Sequence, residues 1–185
     1  AARARGADVC APRARGAEQL PGLHVALFTN GYPYVDAVTR AVELARRHGG
    51  EFSRVIGEPF SLRRDAFARR FLDSSGTLLL LLEGDVVPPE DVVDRLLAVP
   101  APVVTAVYPR WFEDRITSNV HAASGQGWSD VVPTRVFPVK RCTLGCVLVR
   151  REAFERLQAP WFLATMAGDR FVDDDEWFCG AVRKA

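Results

Sequence analysis

The sequence is poor in several features that define broad classes of protein. It has three histidines and four cysteines, and no two cysteines stand at C-x-x-C spacing, so a zinc site is not indicated. Unpaired thiols of this kind are typical of a reducing compartment. The longest unbroken apolar run, Leu78 to Leu82, is far shorter than the about 20 residues of a membrane-spanning helix. We therefore expect a cytoplasmic protein without a membrane span.

Net charge is also nearly absent from the chain. Lysine and arginine number 24 against 23 acidic residues, so the formal net charge is +1 and no general attraction to nucleic acid is expected. The 185 residues, 48% of them hydrophobic, are enough for one domain with a buried core. Residues 1–22 have few large apolar side chains and no continuous apolar stretch. They predict a flexible lead-in rather than a secretory signal, followed by one domain over 23–185.

Short apolar runs alternate with segments of helical periodicity from Leu23 onward. Strands are predicted at 23–29, 51–57, 77–82, 103–107 and 142–150, the last broken by a glycine, and helices at 34–48, 61–72, from 88, 151–157 and 173–184. Residues 109–133 have weak periodicity and are predicted as a long loop. Because strands and helices alternate, the sequence predicts an α/β domain with a mainly parallel central sheet flanked by helices.

An acidic turn follows the most apolar strand. Glu83 and Asp85 flank Gly84 directly after the leucine run, and ligands of open α/β sheets bind at the carboxyl ends of strands. Two carboxylates that turn toward one point supply the oxygen ligands that Mg²⁺ and Mn²⁺ prefer. Such a cation neutralises the charge that develops on a departing diphosphate. The alternative is an acidic loop that caps the next helix, since the triplet alone is a weak motif.

A second acidic group lies near the end of the chain, where four carboxylates run from Asp173 to Glu176. Like charges this close raise the pKa of at least one member, which suits a general base. The alternative is a solvated helix start, where carboxylates interact favourably with the positive end of the helix dipole.

Taken in order, these motifs resemble those of GT-A fold glycosyltransferases, close to the large family-2-like group, over about Leu23 to Lys184. The resemblance rests on the strand that ends at Thr29-Asn30, on Arg64-Asp65, on Glu83-Gly84-Asp85, on the glycine-containing stretch around Gly145, and on Asp174-Asp175 before Trp177-Phe178-Cys179. Asp65 stands where relatives often have Asn, and Glu83 stands where they usually have Asp.

The resemblance implies transfer of a sugar from a nucleotide-diphosphate sugar to an acceptor hydroxyl, with inversion and with Mn²⁺ or Mg²⁺ as cofactor. Asp175, or its neighbour Asp174, would be the catalytic base. Asp85 and Glu83 would hold the metal, with His121 as one candidate for a third ligand. The other implied contacts are to the donor, at Thr29, Asn30, Arg64, Asp65, Glu83, Gly84 and Asp85, and to the acceptor, at Gly145, Trp161 and Trp177.

Two other functions are compatible with these motifs. A sugar nucleotidyltransferase would use a similar sheet, but such enzymes open with a basic phosphate loop, and residues 29–33 contain no basic side chain. A non-catalytic module that binds nucleotides or sugars would keep the carboxylates without performing transfer. Release of nucleoside diphosphate separates this module from a transferase.

Overall fold

A computed structural model describes residues 19–112, 115–122 and 135–185, without the side chains of residues 111, 112 and 115. Its strands are β1 (Leu23–Thr29), β2 (Glu51–Ile56), β3 (Leu78–Glu83), β4 (Val103–Thr105), β5 (Pro109–Phe112), β6 (Arg115–Ser118), β7 (Val120–Ala122), β8 (Val139–Cys142), β9 (Cys146–Arg150), β10 (Thr165–Ala167) and β11 (Arg170–Val172). Its helices are α1 (Val35–Arg47), α2 (Phe60–Asp73), α3 (Val92–Leu97), α4 (Arg151–Arg156) and α5 (Asp174–Lys184). The predicted lead-in lies outside the described residues as far as position 18.

The central sheet has the order β2-β1-β3-β9-β4. Strand β1 is parallel to both β2 and β3, whereas β9 is antiparallel to both β3 and β4. Four strands therefore point one way and β9 runs against them. The predicted α/β architecture is confirmed, but the sheet is mixed rather than mainly parallel. The reason is that the chain returns to the sheet after β8 and inserts β9 in the reverse direction.

The leucine run of β3 is buried on both faces of the sheet. Leu79 and Leu81 pack into the core on one side, against residues of α2, α4 and α5. Leu78, Leu80 and Leu82 pack on the other side, against residues of α1 and α3. Burial of each such side chain contributes about 1.5–3 kcal/mol, so this strand anchors a three-layer domain. Its last residue, Glu83, is the one polar residue of this strand and lies at its carboxyl end.

The predicted strand over 142–150 is interrupted around Gly145, as the sequence pattern indicates, and its two parts belong to different strands. Strand β8 ends at Cys142 and β9 begins at Cys146, with Gly145 in the turn between them. A Cβ atom on Gly145 would lie 2.0 Å from the Tyr108 hydroxyl, so the close approach of Tyr108 requires glycine. The Glu83 amide donates to the Gly145 carbonyl (3.1 Å), which ties this turn to the end of β3.

The predicted loop over 109–133 contains strands in its described part. Strands β5 and β6 form an antiparallel pair, and β7 pairs with β8; residues 113–114 and 123–134 lie outside the described residues. Asn119, which is fully buried, accepts a hydrogen bond from the Tyr108 amide (2.9 Å) and donates to the Ala106 carbonyl (3.0 Å). Strand pairing and the buried Asn119 side chain therefore order this segment, although the hydrophobic periodicity of the sequence predicts no strands there. The β10–β11 hairpin also has no signal in the sequence pattern.

Helix positions are otherwise close to the prediction, with two differences at helix starts. Helices α1, α4 and α5 agree with the prediction to within one residue at each end. Helix α3 begins at Val92 instead of Pro88, and α2 begins at Phe60, so that Ser61 is a buried residue of the first turn and not its cap. Within the described part of the chain, no helix has both the length and the apolar character needed to cross a bilayer.

Candidate active site

The carboxylates at the end of β3 and at the start of α5 meet around one arginine. Arg64, on α2, is only 2% exposed. Its Nη1 donates to Asp174 Oδ2 at 2.6 Å and to Asp175 Oδ1 at 3.3 Å, and its Nη2 donates to Glu83 Oε1. We call these four residues the Arg64 cluster. The two acidic motifs of the sequence therefore lie on one side of the domain, joined by a single guanidinium.

Helix α2 places Arg64 on its buried face. Phe67 and Phe71 follow at i+3 and i+7 and pack into the core, so Arg64 enters the same side of the helix. The guanidinium lies over the rings of Phe28 and Phe60, at 5.7 and 5.4 Å from their centroids. These aromatic faces interact favourably with the cation and hold it in position. Arg64 is therefore oriented by packing before any ligand binds.

Burial dominates the electrostatics of the cluster. It raises the pKa of the Asp175 carboxyl to about 8, although Arg64 opposes the rise; Glu83 and Asp174 add to it. Burial also raises the pKa of Glu83, again against Arg64. The three carboxylates raise the pKa of Arg64 despite its burial, so it stays charged. One cation faces three acids, and a carboxyl group that ionises near pH 8 can act as a general base near neutral pH.

The four acids at the start of helix α5 form two pairs with different bonding partners. Asp173 is the N-cap, and its carboxylate accepts a hydrogen bond from the Glu176 amide (2.8 Å). Arg141, on β8, donates to both Asp173 and Glu176. The interpretation as a helix start therefore applies to Asp173 and Glu176. Asp174 and Asp175 instead turn toward Arg64.

The acidic turn presents its two carboxylates differently. Glu83 is partly buried against Arg64, whereas Asp85 is exposed and forms no hydrogen bond or ion pair with the described residues. A Cβ atom on Gly84 would lie 2.9 Å from Cβ of Pro33, and the Gly84 carbonyl accepts from the Tyr34 amide (2.8 Å). The turn is thus packed against the loop that follows β1, with Asp85 facing solvent.

A divalent cation fits this turn only with help from a ligand. In the described part of the chain, no three His, Cys, Asp or Glu side chains are grouped so that they could hold a metal. The exposed Asp85 carboxylate is available to a cation, while Arg64 engages Glu83. Mg²⁺ is commonly bound through one or two carboxylates, several waters and substrate phosphates. The residues present fit a cation shared between Asp85 and a diphosphate.

The end of β1 forms a turn next to this site. Thr29 is 3% exposed, and its Oγ1 accepts a hydrogen bond from the Gly31 amide (3.1 Å). Asn30 is exposed, and its Oδ1 accepts from the Tyr32 amide (3.4 Å). Gly31 has φ 118°, a conformation that favours glycine. Of the two predicted donor contacts in this turn, the side chain of Thr29 shapes the backbone and that of Asn30 reaches solvent.

Two predicted contact residues are engaged in packing. The Trp161 ring is 8% exposed, contacts the Phe154 ring edge-on at 5.8 Å, and donates from Nε1 to the Phe154 carbonyl (3.0 Å). Arg69 covers the Trp161 ring at 5.4 Å. Asp65 accepts from the Trp161 amide (2.8 Å) and pairs with Arg69 (2.9 Å). In this structure Trp161 and Asp65 therefore join α2 to the segment after α4, without a free face for a sugar.

The other predicted acceptor contacts, and the candidate third metal ligand, have different surroundings. Trp177 is on α5, partly buried, and its Nε1 donates to the Pro160 carbonyl (2.9 Å). Gly145 is buried beneath Tyr108. His121 lies opposite Arg141 in the β7–β8 pair, and burial together with nearby cations lowers its pKa. Acceptor binding by Trp177 and Gly145, and metal binding by His121, stay predictions.

Two residues next to the cluster have no sequence signal. The Tyr108 hydroxyl is hydrogen-bonded to Thr143 Oγ1 (2.8 Å), and burial raises the tyrosine pKa. Arg141, on β8, lies opposite His121 of β7 and pairs with Glu176 of α5 (3.2 Å). Neither residue belongs to a motif, and both depend on contacts between segments distant in the sequence.

The fold and the cluster define an α/β domain with a candidate active site at the carboxyl end of its sheet. No protein-family model matches the chain, and no curated protein matches it by sequence. Among solved structures it is similar to A197 from STIV, with a TM-score of 0.63 and 19% identity, over 87% of this chain and 78% of that chain. At that identity the similarity shows the fold alone.

The raised pKa of Asp175 predicts a pH-dependent change in stability. Because its folded pKa of about 8 exceeds the ordinary 3.8, folding favours the protonated form. That contribution to stability is complete below the ordinary pKa and is lost as pH rises to about 8. Asp175→Asn cannot ionise, so we expect its stability relative to the parent to increase between about pH 5 and pH 8. Guanidinium unfolding midpoints at both values measure this.

The control for that experiment is Asp73→Asn, which changes an exposed carboxyl at the end of α2. Its stability relative to the parent should stay nearly constant over the same range. An Asp175→Asn difference that is equal at both pH values would contradict a buried, ionising Asp175.

Proposed function

We propose that the chain is a GT-A domain of a glycosyltransferase that uses a nucleotide-diphosphate sugar. The observation that carries the proposal is the Arg64 cluster, in which one buried guanidinium joins Glu83 of the acidic turn to Asp174 and Asp175. The motifs of the sequence and the mixed α/β sheet support the same assignment. The donor diphosphate would lie at Asp85, and the acceptor hydroxyl would lie at Asp175.

In the proposed reaction, the Asp175 carboxylate accepts the proton of the acceptor hydroxyl as that oxygen attacks the anomeric carbon. The new glycosidic bond forms on the face opposite the departing diphosphate, so the configuration inverts. Burial keeps the pKa of Asp175 at about 8, which makes it a stronger base than an ordinary carboxylate. Asp175 is preferred over Asp174 as the base because it is held less tightly by Arg64. Its contact with the guanidinium is 3.3 Å long, against 2.6 Å for Asp174.

The remaining residues of the site bind and position. Asp85 would hold Mn²⁺ or Mg²⁺, which when bound supplies positive charge to the leaving diphosphate. Arg64 is only 2% exposed, too little for direct contact with a phosphate, so its proposed role is to fix Glu83 and Asp175. Asn30, exposed at the end of β1, is available to the nucleotide. The residues of the proposed site thus all lie near the carboxyl end of the sheet.

A thermal-shift panel of UDP, GDP, CDP and TDP, each with and without Mn²⁺, tests the proposal. We expect at least one nucleotide to raise Tm by about 5–10 °C at about 100 times its Kd, and only when the metal is present. A panel in which none of the four nucleotides changes Tm would contradict it. Release of diphosphate from the matching nucleotide sugar then distinguishes a transferase from a non-catalytic binding module.

A further inference from the structure

Two cysteines lie next to each other between β8 and α5. The Sγ atoms of Cys142 and Cys179 are 3.8 Å apart, although 37 residues separate them in the sequence. A disulfide bond is about 2.05 Å long, so the sulfur atoms need to approach by less than about 2 Å. Side-chain rotation of this size is small compared with the backbone movement that distant cysteines would require. The pair is therefore placed to form a bond within the folded chain.

The two thiols differ in environment. Cys142 is buried, and its hydrogen bond to Cys179 together with burial raises its pKa. The same hydrogen bond lowers the pKa of Cys179, and Arg141 and Arg183 add to the effect. Cys179 is also the more exposed of the two. Because the thiolate is the reactive form, we expect Cys179 to react with an oxidant before Cys142 does.

We propose that Cys142 and Cys179 form an oxidation site that accepts a hydroperoxide and closes to a disulfide between β8 and α5. The Cys179 thiolate attacks the peroxide oxygen, the O–O bond breaks, and a sulfenic acid forms as the hydroxide or alkoxide leaves and takes a proton. The Cys142 sulfur then attacks the sulfenic sulfur and loses its proton. The S–S bond forms and water leaves. Two thiols lose two electrons, and the peroxide gains them.

The bond would fix the helix that carries the proposed base. Asp175 and Cys179 are four residues apart on α5 and lie on the same face of the helix. Arg141, next to Cys142, already binds Asp173 and Glu176 in the first turn of α5. The disulfide would therefore strengthen an existing contact between β8 and α5. This inference does not depend on the proposed transferase activity.

The test is to treat the full chain with hydrogen peroxide and to map peptides by mass spectrometry without reductant. We expect a peptide cross-linked through Cys142 and Cys179, with the loss of two hydrogens. We also expect Tm to rise by about 5–10 °C and to return to its original value with dithiothreitol. Neither readout requires catalysis, so a failure here is distinct from a failure of the proposed function.

Cys146→Ala is the matched control, because Cys146 is fully buried on β9 and burial raises its pKa to about 12. This variant should keep the cross-link and the Tm rise, whereas Cys142→Ser and Cys179→Ser should lose both. Far-UV circular dichroism checks that each variant folds. Oxidation that stops at a sulfenic acid on Cys179, or cross-links mainly through Cys10, would overturn the proposal.

Discussion

Asp175→Asn should lower the rate of sugar transfer about 10²–10⁴-fold, the range that a general base contributes. The asparagine side chain keeps the size of the carboxyl group but cannot act as a base toward the hydroxyl group of the acceptor. If the proposed function is right, the parent protein should show a kcat/KM that rises with pH and levels off above about 8, because only ionised Asp175 can act as the base. Release of nucleoside diphosphate, measured with the donor that the thermal-shift panel identifies, gives both quantities.

Asp174→Asn is the matched comparison for that experiment. Asp174 binds the same guanidinium at a shorter distance, so its loss should change the position of Arg64 more than the proton transfer. We expect a smaller loss of kcat from Asp174→Asn than from Asp175→Asn, and a pH profile of the parent type. If Asp174→Asn removed activity and Asp175→Asn kept it, the assignment of the base would be wrong.

Arg64→Met should destabilise the folded chain by about 3–5 kcal/mol near pH 8, the usual cost of removing one partner from a buried ion pair. Arg64 is 2% exposed and is the cation shared by Glu83, Asp174 and Asp175. Without it, three partly buried carboxylates repel one another. The loss should be smaller near pH 5 than near pH 8, because Arg64 lowers the pKa of Asp175 and so stabilises its ionised form, which the parent begins to populate only near pH 8. Guanidinium unfolding at both pH values measures the difference.

Arg63→Met is the control, since Arg63 is the exposed neighbour on the same helix. It should change stability by less than about 0.5 kcal/mol. Arg64→Lys should recover only part of the loss, because one ammonium group cannot reproduce the forked contacts of a guanidinium. Equal destabilisation by Arg63→Met and Arg64→Met, or a loss independent of pH, would contradict the described cluster.

The elements of the sheet that the sequence predicts well are those set by local patterns. The leucine run before Glu83 defines β3 because only a strand covered on both faces tolerates it. The direction of β9 could not be predicted, because its apolar pattern is the same in either direction. The pairing of β7 with β8 likewise depends on contacts that no local pattern records.

In the candidate site, too, local motifs can be predicted from the sequence, whereas contacts between distant residues cannot. Each acidic motif is visible as a spacing of carboxylates, but their meeting through Arg64 joins residues that are 19, 110 and 111 positions apart. The burial of Trp161 could not be predicted either, since a tryptophan in a loop is equally compatible with stacking on a ligand and with packing on Phe154. Side-chain partners across the fold decide these roles.

The nucleotide-induced rise in Tm should require both the metal and Asp85, and this requirement tests the proposed metal site most directly. Asp85→Ala should abolish the Mn²⁺-dependent rise for the nucleotide that the panel identifies, because Asp85 is the exposed carboxylate of the acidic turn. Asp73→Ala, which removes an exposed carboxylate from the end of α2, should retain the rise in full. A rise that is the same in Asp85→Ala and the parent, or that occurs without metal, would contradict a diphosphate bound through a cation at this turn.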